Sequence, residues 1–420
     1  MRDYLLGRPV SDFDVATDAR PEEVVRLYRR VIPTGIKHGT VTVLWKGLKI
    51  EVTTFRTEAD YSDGRHPDSV EYAATIEEDL GRRDFTMNAM AYDLLGKALV
   101  DPYGGEADLG RSLVRAVGDP VERFSEDGLR PLRALRFAAQ LGFEIEAATL
   151  AAIPAELGRF RLVSAERVRD ELQKMLLAPA PSRGLRLMES TGMLAIVLPE
   201  LVACRGVEQR GMHVFDVLDH LYASVDAVPP DIALRLAALL HDLGKPAAKV
   251  DRPGLEPSFH RHEEYSAIAS AAILKRLRFP NGLIDEVTHL VRHHMFAYDD
   301  SWSDAAVRRF LARVGEDKVE RLFALRIADG TAITGLRVDP RSLEPFRARI
   351  ESVLAQSHAF GLRDLAIGGN ELASIGVPKG PAMGRILAEL LETVLDDPEL
   401  NEKERLLDIA EKLKGKYGLR

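Results

Sequence analysis

A chain of 420 residues is too long for one apolar core and implies about two to four packing units. Its net charge of −8 argues against indiscriminate nucleic-acid binding, although phosphate recognition needs only a local basic stripe. Cys204, the single cysteine, excludes a disulfide framework and a thiolate cluster. The first residues do not read as a secretory signal and no apolar run reaches bilayer length, so a reducing cytoplasm is the expected compartment.

In chain order, Pro21 to Arg30 reads as a helix, and Thr40 to Trp45 and Leu48 to Phe55 read as short alternating strands. From about Asp119 onward the pattern is helical almost throughout. The glycine- and proline-rich stretch Leu362 to Gly384 separates the last helices. The fold class expected is α+β. A small N-terminal α/β head (1–112) precedes a helical neck (113–176), a helical phosphohydrolase-like domain (177–340) and a helical tail (341–420).

Asp12 and Asp14 lie two apart in Ser11-Asp12-Phe13-Asp14-Val15. On a strand they point to one face, with Phe13 and Val15 turned toward a core. Paired carboxylates of this kind suit Mg²⁺, leaving positions for water and triphosphate oxygens. Glu51, in Lys49-Ile50-Glu51-Val52-Thr53, is a candidate third carboxylate, with an exposed strand glutamate as the alternative. Asp127 and Arg130 stand at i, i+3 on an expected helix. A carboxylate only accepts hydrogen bonds and a guanidinium only donates them. Together they match the amino-donor and ring-nitrogen-acceptor edge that cytosine and adenine share. Arg133 and Arg136 continue the same steps, toward a triphosphate. The competing reading is a capped helix with a basic face.

Farther on, Leu239-Leu240-His241-Asp242-Leu243-Gly244-Lys245 puts a histidine and an aspartate side by side near a helix end. His220 and Asp329 are the candidates to complete a four-ligand metal set, and His262, His293 and His294 are further histidines nearby. Mixed imidazole and carboxylate ligation suits Mn²⁺, Ni²⁺, iron or Mg²⁺.

Several stretches resemble the class II tRNA nucleotidyltransferases (CCA-adding enzymes) and the related bacterial poly(A) polymerases. They are Arg2 to Arg8, Ser11 to Asp14, His38 to Val41, Glu51 to Arg56, Arg82-Arg83-Asp84-Phe85-Thr86, Asp101 to Gly105, Glu126 to Phe137 and Ser164 to Arg167. The match is dense over roughly the first 180 residues and looser beyond, and the His-Asp segment resembles the HD phosphohydrolase signature. The resemblance implies addition of C and A from CTP and ATP to tRNA 3′ ends by Mg²⁺-dependent nucleotidyl transfer. Arg83 would contact nucleotide and Asp84 would shape the site. The HD domain would carry a phosphatase or cyclic-phosphodiesterase activity toward RNA ends, or only its fold. The polar stretch Thr57 to Tyr72, with Asp60, Asp63, Arg65 and Glu71, resembles the loop that members use when switching to ATP. An A-adding or poly(A)-type enzyme, and an HD phosphohydrolase whose head only binds RNA, are the alternatives. The Leu6-Gly7-Arg8-Pro9 segment and acidic composition weigh against the poly(A) branch.

Basic residues for a tRNA partner cluster at Arg159, Arg161, Arg167, Arg169, Lys174, Arg183 and Arg186, and again at Lys412, Lys414, Lys416 and Arg420. Family members carry a strand and a Gly-Gly turn before the segment matching Arg2 to Arg8, where backbone N–H groups help to hold triphosphate. The sequence begins inside that motif. The expectation is therefore a translation start placed too late, or a truncated head with an unpaired sheet edge in which Arg2 alone contacts phosphate there. Oligomeric state is not legible.

Overall fold

The computed structural model describes residues 1–10, 13–36, 39–59, 69–209, 211–253, 255–356 and 361–417. Asp12, His38, Asp60, Asp63, Arg65 and Arg420 lie outside the described residues.

The head opens with α1 (Arg2–Leu5), β1 (Phe13–Thr17), α2 (Pro21–Leu27), β2 (Val31–Gly35), β3 (Thr40–Trp45) and β4 (Leu48–Thr54). Four of these strands form one sheet in the order β1-β4-β3-β2, with β1 parallel to β4 and the other pairs antiparallel. Threonine and valine alternate along β3, so Val41 and Val43 turn inward with Val52 of β4 and pack on Val24 of α2. Burying each such valine contributes about 1.5–3 kcal/mol. Helix α2 ends at Leu27 rather than Arg30, because the chain turns into β2 at Val31.

Phe13 and Val15 do not reach a core; they are 53% and 38% exposed. Their strand is at the sheet edge, and α2 packs over β3 and β4. Strand alternation fixes which face a residue takes, but only tertiary cover decides whether that face is dry.

The hairpin β5 (Arg56–Ala59) and β6 (Ser69–Tyr72) brackets the expected polar loop, and Glu71 falls within β6. Then come α3 (Ile76–Gly81), β7 (Ala91–Asp93), β8 (Ala98–Val100), α4 (Gly105–Gly110) and β9 (Leu113–Val114). The helical body continues through α5 (Pro120–Glu126), α6 (Arg130–Leu141), β10 (Glu144–Ile145), α7 (Ala147–Ala155), α8 (Leu157–Phe160), α9 (Ala165–Leu176) and α10 (Pro181–Ser190). Asp119 caps α5 through the Val121 and Glu122 N–H groups, and Gly142 closes α6 in the left-handed conformation.

Two short helices, α11 (Leu194–Val197) and α12 (Pro199–Val202), lead to α13 (Val217–Ala227), α14 (Ile232–Leu240) and α15 (Lys245–Ala248). The small hairpin β11 (Val250–Arg252) and β12 (Leu255–Ser258) precedes α16 (His262–Arg276), α17 (Asn281–His293), α18 (Asp304–Val314), α19 (Val319–Thr334) and α20 (Glu344–Gln356). One continuous apolar cluster runs from Phe85 through these helices to Val353. The last helices, α21 (Gly369–Ser374), α22 (Pro381–Asp396) and α23 (Lys403–Lys416), close a separate core around Leu372, Ile386, Leu390 and Leu406.

Candidate functional site

In the head, the parallel pairing of β1 with β4 sets Asp14 directly across from Glu51. Both are exposed, on the face opposite Val15 and Val52. Neighbouring strands lie about 4.7–4.9 Å apart, so the two carboxylates stand side by side and their mutual repulsion favours a bound cation. Below this pair, Arg56 N–H donates to the buried Asp79 at 3.3 Å, and Asp79 in turn holds Arg82 at 2.9 Å and Arg83 at 3.6 Å. Arg83 is thereby anchored near the foot of β4.

A chain of polar contacts ties the head to the neck. Arg2 donates to Asp3 and, at 2.9 Å, to Asn88 Oδ1; Asn88 donates to Asp84 Oδ1 at 2.9 Å. Asp84 Oδ2 accepts from Arg133 Nε at 2.7 Å and faces Nη2 at 2.6 Å. Arg133 also lies 3.7 Å from Glu171, which accepts from Arg136 Nε at 2.7 Å. Burial resists the Asp84 charge, but Arg133 and Asn88 outweigh it and hold the carboxyl below its ordinary range. Glu171 is likewise lowered against its burial by Arg136 and Arg133. Arg133 and Arg136 are thus engaged by Asp84 and Glu171. Arg136 also lies over the Phe137 ring at 3.5 Å. Glu171, on α9, carried no sequence signal that singled it out.

Asp127 and Arg130 are not neighbours on one helix. Asp127 ends α5, and Arg130 begins α6. Gly128 between them lets the turn approach α8 closely; a Cβ there would meet Arg159 O at 2.8 Å. Asp127 accepts from Leu129 N–H at 3.0 Å and from Arg167 Nη2 at 2.7 Å. Arg130 donates to Arg82 O at 2.9 Å, Arg123 O at 2.8 Å and the Glu126 carboxylate. The break between the helices is what separates the two side chains. Most of the basic cluster is likewise engaged: Arg169 with Asp170, Lys174 with Glu171, Arg183 with Glu144 and Arg186 with Asp219. At the tail, Lys416 pairs with Glu389 and Lys414 donates to Ile375 O.

In the helical half, α13 carries His220, the end of α14 carries His241 and Asp242, and α19 carries Asp329. All four are buried, and their ligand atoms lie within 4.8 Å of one another. His220 Nε2 is 3.2 Å from His241 Nε2 and 3.2 Å from Asp329 Oδ1. His241 Nε2 is 3.4 Å from Asp242 Oδ2 and 3.5 Å from Asp329 Oδ1. His241 turns Nδ1 to Ala238 O at 2.9 Å, which fixes its proton there and leaves Nε2 as an acceptor among acceptors. Such convergence fits a divalent cation. Asp242 and Asp329 stay well below the ordinary carboxylate range: burial opposes their charge, but Lys245 and His241 outweigh it at Asp242, and His220 and His241 at Asp329. Burial lowers His220 and His294.

His262 and His294 also turn toward Asp242, with Nε2 to Oδ1 distances of 3.0 and 3.7 Å. Gly244 makes this possible: a Cβ there would meet His262 O at 2.4 Å and Ser266 N at 2.6 Å, so α16 starts hard against the His-Asp turn. His293 does not join them. It lies against His289, with ring centroids 4.6 Å apart, and burial lowers its pKa to about 4. Adjacent residues at a helix end point about 100° apart, so only one of His293 and His294 can face the cluster. Lys245, paired with Asp242, is a further member for which the sequence offered only its place in the motif.

An N-terminal carboxylate-bearing sheet joined to a helical body with a histidine–aspartate cluster defines a nucleotidyltransferase head linked to an HD domain. Family comparisons agree on both parts. Residues 1–115 match the poly A polymerase head domain, 142–204 the probable RNA and SrmB-binding site of polymerase A, and 210–333 the HD domain. The CCA-adding enzyme of Limosilactobacillus fermentum is 34% identical, over 98% of this chain and 91% of that protein. That of Geobacillus stearothermophilus is 34% identical over 97% and 89%. A crystal structure of the Bacillus stearothermophilus CCA-adding enzyme in complex with CTP superposes with a TM-score of 0.73 at 31% identity, covering 99% of this chain and 92% of that one. The Thermotoga maritima CCA-adding enzyme complexed with tRNA shares the fold, at TM-score 0.56 and 20% identity over 98% and 89%. The chain belongs to the CCA-adding enzyme family.

Proposed function

We infer that the protein is a tRNA nucleotidyltransferase that adds C and A, from CTP and ATP, to tRNA 3′ ends. The observation that carries this reading is the side-by-side setting of Asp14 and Glu51 on the exposed face of the head, in a chain 34% identical to a CCA-adding enzyme over 98% of its length. In each addition the terminal ribose hydroxyl oxygen bonds to the α-phosphorus and the bond to pyrophosphate breaks. The protein's task is positioning and charge neutralisation. Asp12, Asp14 and Glu51 would hold Mg²⁺, which when bound activates the hydroxyl and offsets the pyrophosphate charge.

Arg2 and Arg83 contact nucleotide, while Asp84, Arg133 and Arg136 keep head and neck in register around it. Asp127 and Arg130 select C and A. A guanidinium has five N–H donors and these contacts of Arg130 use three, which leaves two for a base edge, while Asp127 would share its carboxylate with Arg167.

The cluster of His220, His241, Asp242 and Asp329 supports a second activity, metal-dependent phosphohydrolysis, with Mn²⁺, Ni²⁺, iron or Mg²⁺ as the ion. No helix among the described residues is long and apolar enough to cross a membrane. The tRNA substrate and the one buried cysteine suit the cytoplasm. Incubation with tRNA lacking CCA, with tRNA ending in CC, and with a generic oligonucleotide, each with CTP or ATP, tests the proposal. Addition of C to the first and A to the second supports it. Only A addition points to an A-adding enzyme, extension of the generic oligonucleotide to a poly(A)-type enzyme, and no addition to a head that only binds RNA.

A further inference from the structure

The segment from Val24 to Ile50 carries six arginines and lysines and no aspartate or glutamate, in a chain whose net charge is −8. A local basic excursion in an acidic protein marks a surface for an anionic partner. The fold gathers part of it at one end of the head sheet. Leu44 N–H donates to Arg30 O at 2.9 Å, so the residues that follow α2 run beside the end of β3. Trp45 pairs with Leu48 across the two-residue turn Lys46-Gly47, whose φ angles of 48° and 85° suit a tight hairpin. Tyr28 and Trp45 meet edge to face there, with ring centroids 6.0 Å apart, and are 40% and 49% exposed. Around them Arg26, Arg29, Arg30 and Lys46 are exposed, and among the described residues none of the four has an ion-pair partner. Lys46 Nζ lies 5.7 Å from the Trp45 ring. The basic residues of the neck, by contrast, are mostly held by acids. A single exposed ring is ordinary on a protein surface. Two rings in contact among four such cations have the make-up of a stacking platform for nucleotides. Trp45 continues the face of Val41 and Val43, whereas Glu51 lies opposite Thr42, so the platform and the Asp14–Glu51 pair occupy opposite faces of the sheet.

We propose that this end of the head binds a short stretch of single-stranded RNA, apart from the active site. Bases stack on Tyr28 and Trp45, and the phosphates lie along Arg26, Arg29, Arg30 and Lys46. The rings favour a nucleic acid over an acidic peptide, because every base offers a π-face and a carboxylate side chain offers charge alone. They also favour unpaired nucleotides, since in a duplex each base is already covered by its neighbours. The choice of RNA as the polymer rests on the tRNA reading of the active site, whereas the stacking and the charge stand without it. The head would then hold RNA at a point separate from the 3′ end that it extends.

The test titrates the full chain with a uridine oligomer of about ten nucleotides, without nucleoside triphosphates, and follows tryptophan fluorescence. The chain has two tryptophans, and Trp302 packs against Phe310 and Phe346 in the helical half, so Trp45→Phe assigns the signal. Saturable quenching that disappears in Trp45→Phe is expected. Tyr28→Ala is expected to weaken binding at least about tenfold. Arg29→Glu combined with Arg30→Glu is expected to weaken it at least about tenfold and to reduce the slope of log affinity against log salt by about 1.4, two phosphate contacts at about 0.7 each. Unchanged thermal melting followed by circular dichroism shows that the variants fold. Absence of Trp45 quenching, or affinity unchanged in Tyr28→Ala and in the arginine variant, overturns the proposal. Equal quenching by an RNA duplex or by polyglutamate overturns it in favour of a merely anion-binding patch. CCA addition by the native chain is scored separately, so addition without Trp45 quenching refutes the platform and leaves the nucleotidyltransferase reading standing.

Discussion

Removing Asp84 tests whether the head and neck are joined by the polar chain from Arg2 to Arg136. The carboxylate is 7% exposed and accepts from Phe85 N–H at 2.8 Å, Asn88 at 2.9 Å and Arg133 at 2.7 Å. Deleting one partner of a buried ion pair costs about 3–5 kcal/mol. The Arg133 side chain is 30% exposed and keeps Glu171 at 3.7 Å, which puts Asp84→Ala at the low end, about 3 kcal/mol. A double-mutant cycle with Asp84→Asn and Arg133→Met isolates the pair, with an expected coupling of about 1.5–3 kcal/mol in urea denaturation followed by circular dichroism.

The pH dependence has a definite sign. A carboxyl with a lowered folded pKa contributes stability in full above its unfolded value of about 3.9, and loses it as pH falls through the folded value. The coupling is therefore equal at pH 7.5 and pH 5.5 and declines only below about pH 4. A coupling below about 0.5 kcal/mol at pH 7.5, within the additivity error of independent sites, refutes the reasoning, because the pair would then be solvated.

Asp14→Asn or Glu51→Gln lowers nucleotide addition at least about a hundredfold without changing metal content in the helical half; near-normal addition by either variant with Mg²⁺ removes that residue from the metal site. Asp127→Ala and Arg130→Ala slow CTP and ATP use and relax rejection of UTP and GTP, because an unmatched buried hydrogen-bonding group costs about 1–3 kcal/mol; slower addition with unchanged base selectivity assigns them a structural role only. Burial pushes the Cys204 thiol up to about 12, so at pH 8 the native chain reacts with a disulfide reagent at least about a thousandfold slower than free cysteine. Rapid labelling without denaturant contradicts that burial.

Local pattern alone determined a good deal of this protein. Threonine–valine alternation marks β3, and the alternation around Glu51 sets it on the face opposite Val52 because strand geometry has a period of two. The His241-Asp242 segment was legible through its resemblance to the HD signature, and the fold brings His220 and Asp329 to it. Tertiary structure decided the rest. Glu51 gains its place beside Asp14 only through parallel pairing across 37 residues, which no local signal encodes. Arg133 meets Asp84 and Glu171, and Arg136 meets Glu171, because both acids arrive from other segments. Asp127 and Arg130 part because the chain breaks between α5 and α6, where Gly128 passes the α8 backbone. Of the two adjacent histidines, only His294 faces Asp242. Sequence spacing states which side chains share an element's face; which faces meet depends on the packing of elements far apart in the chain, and the charge of a buried group finds its partner only there.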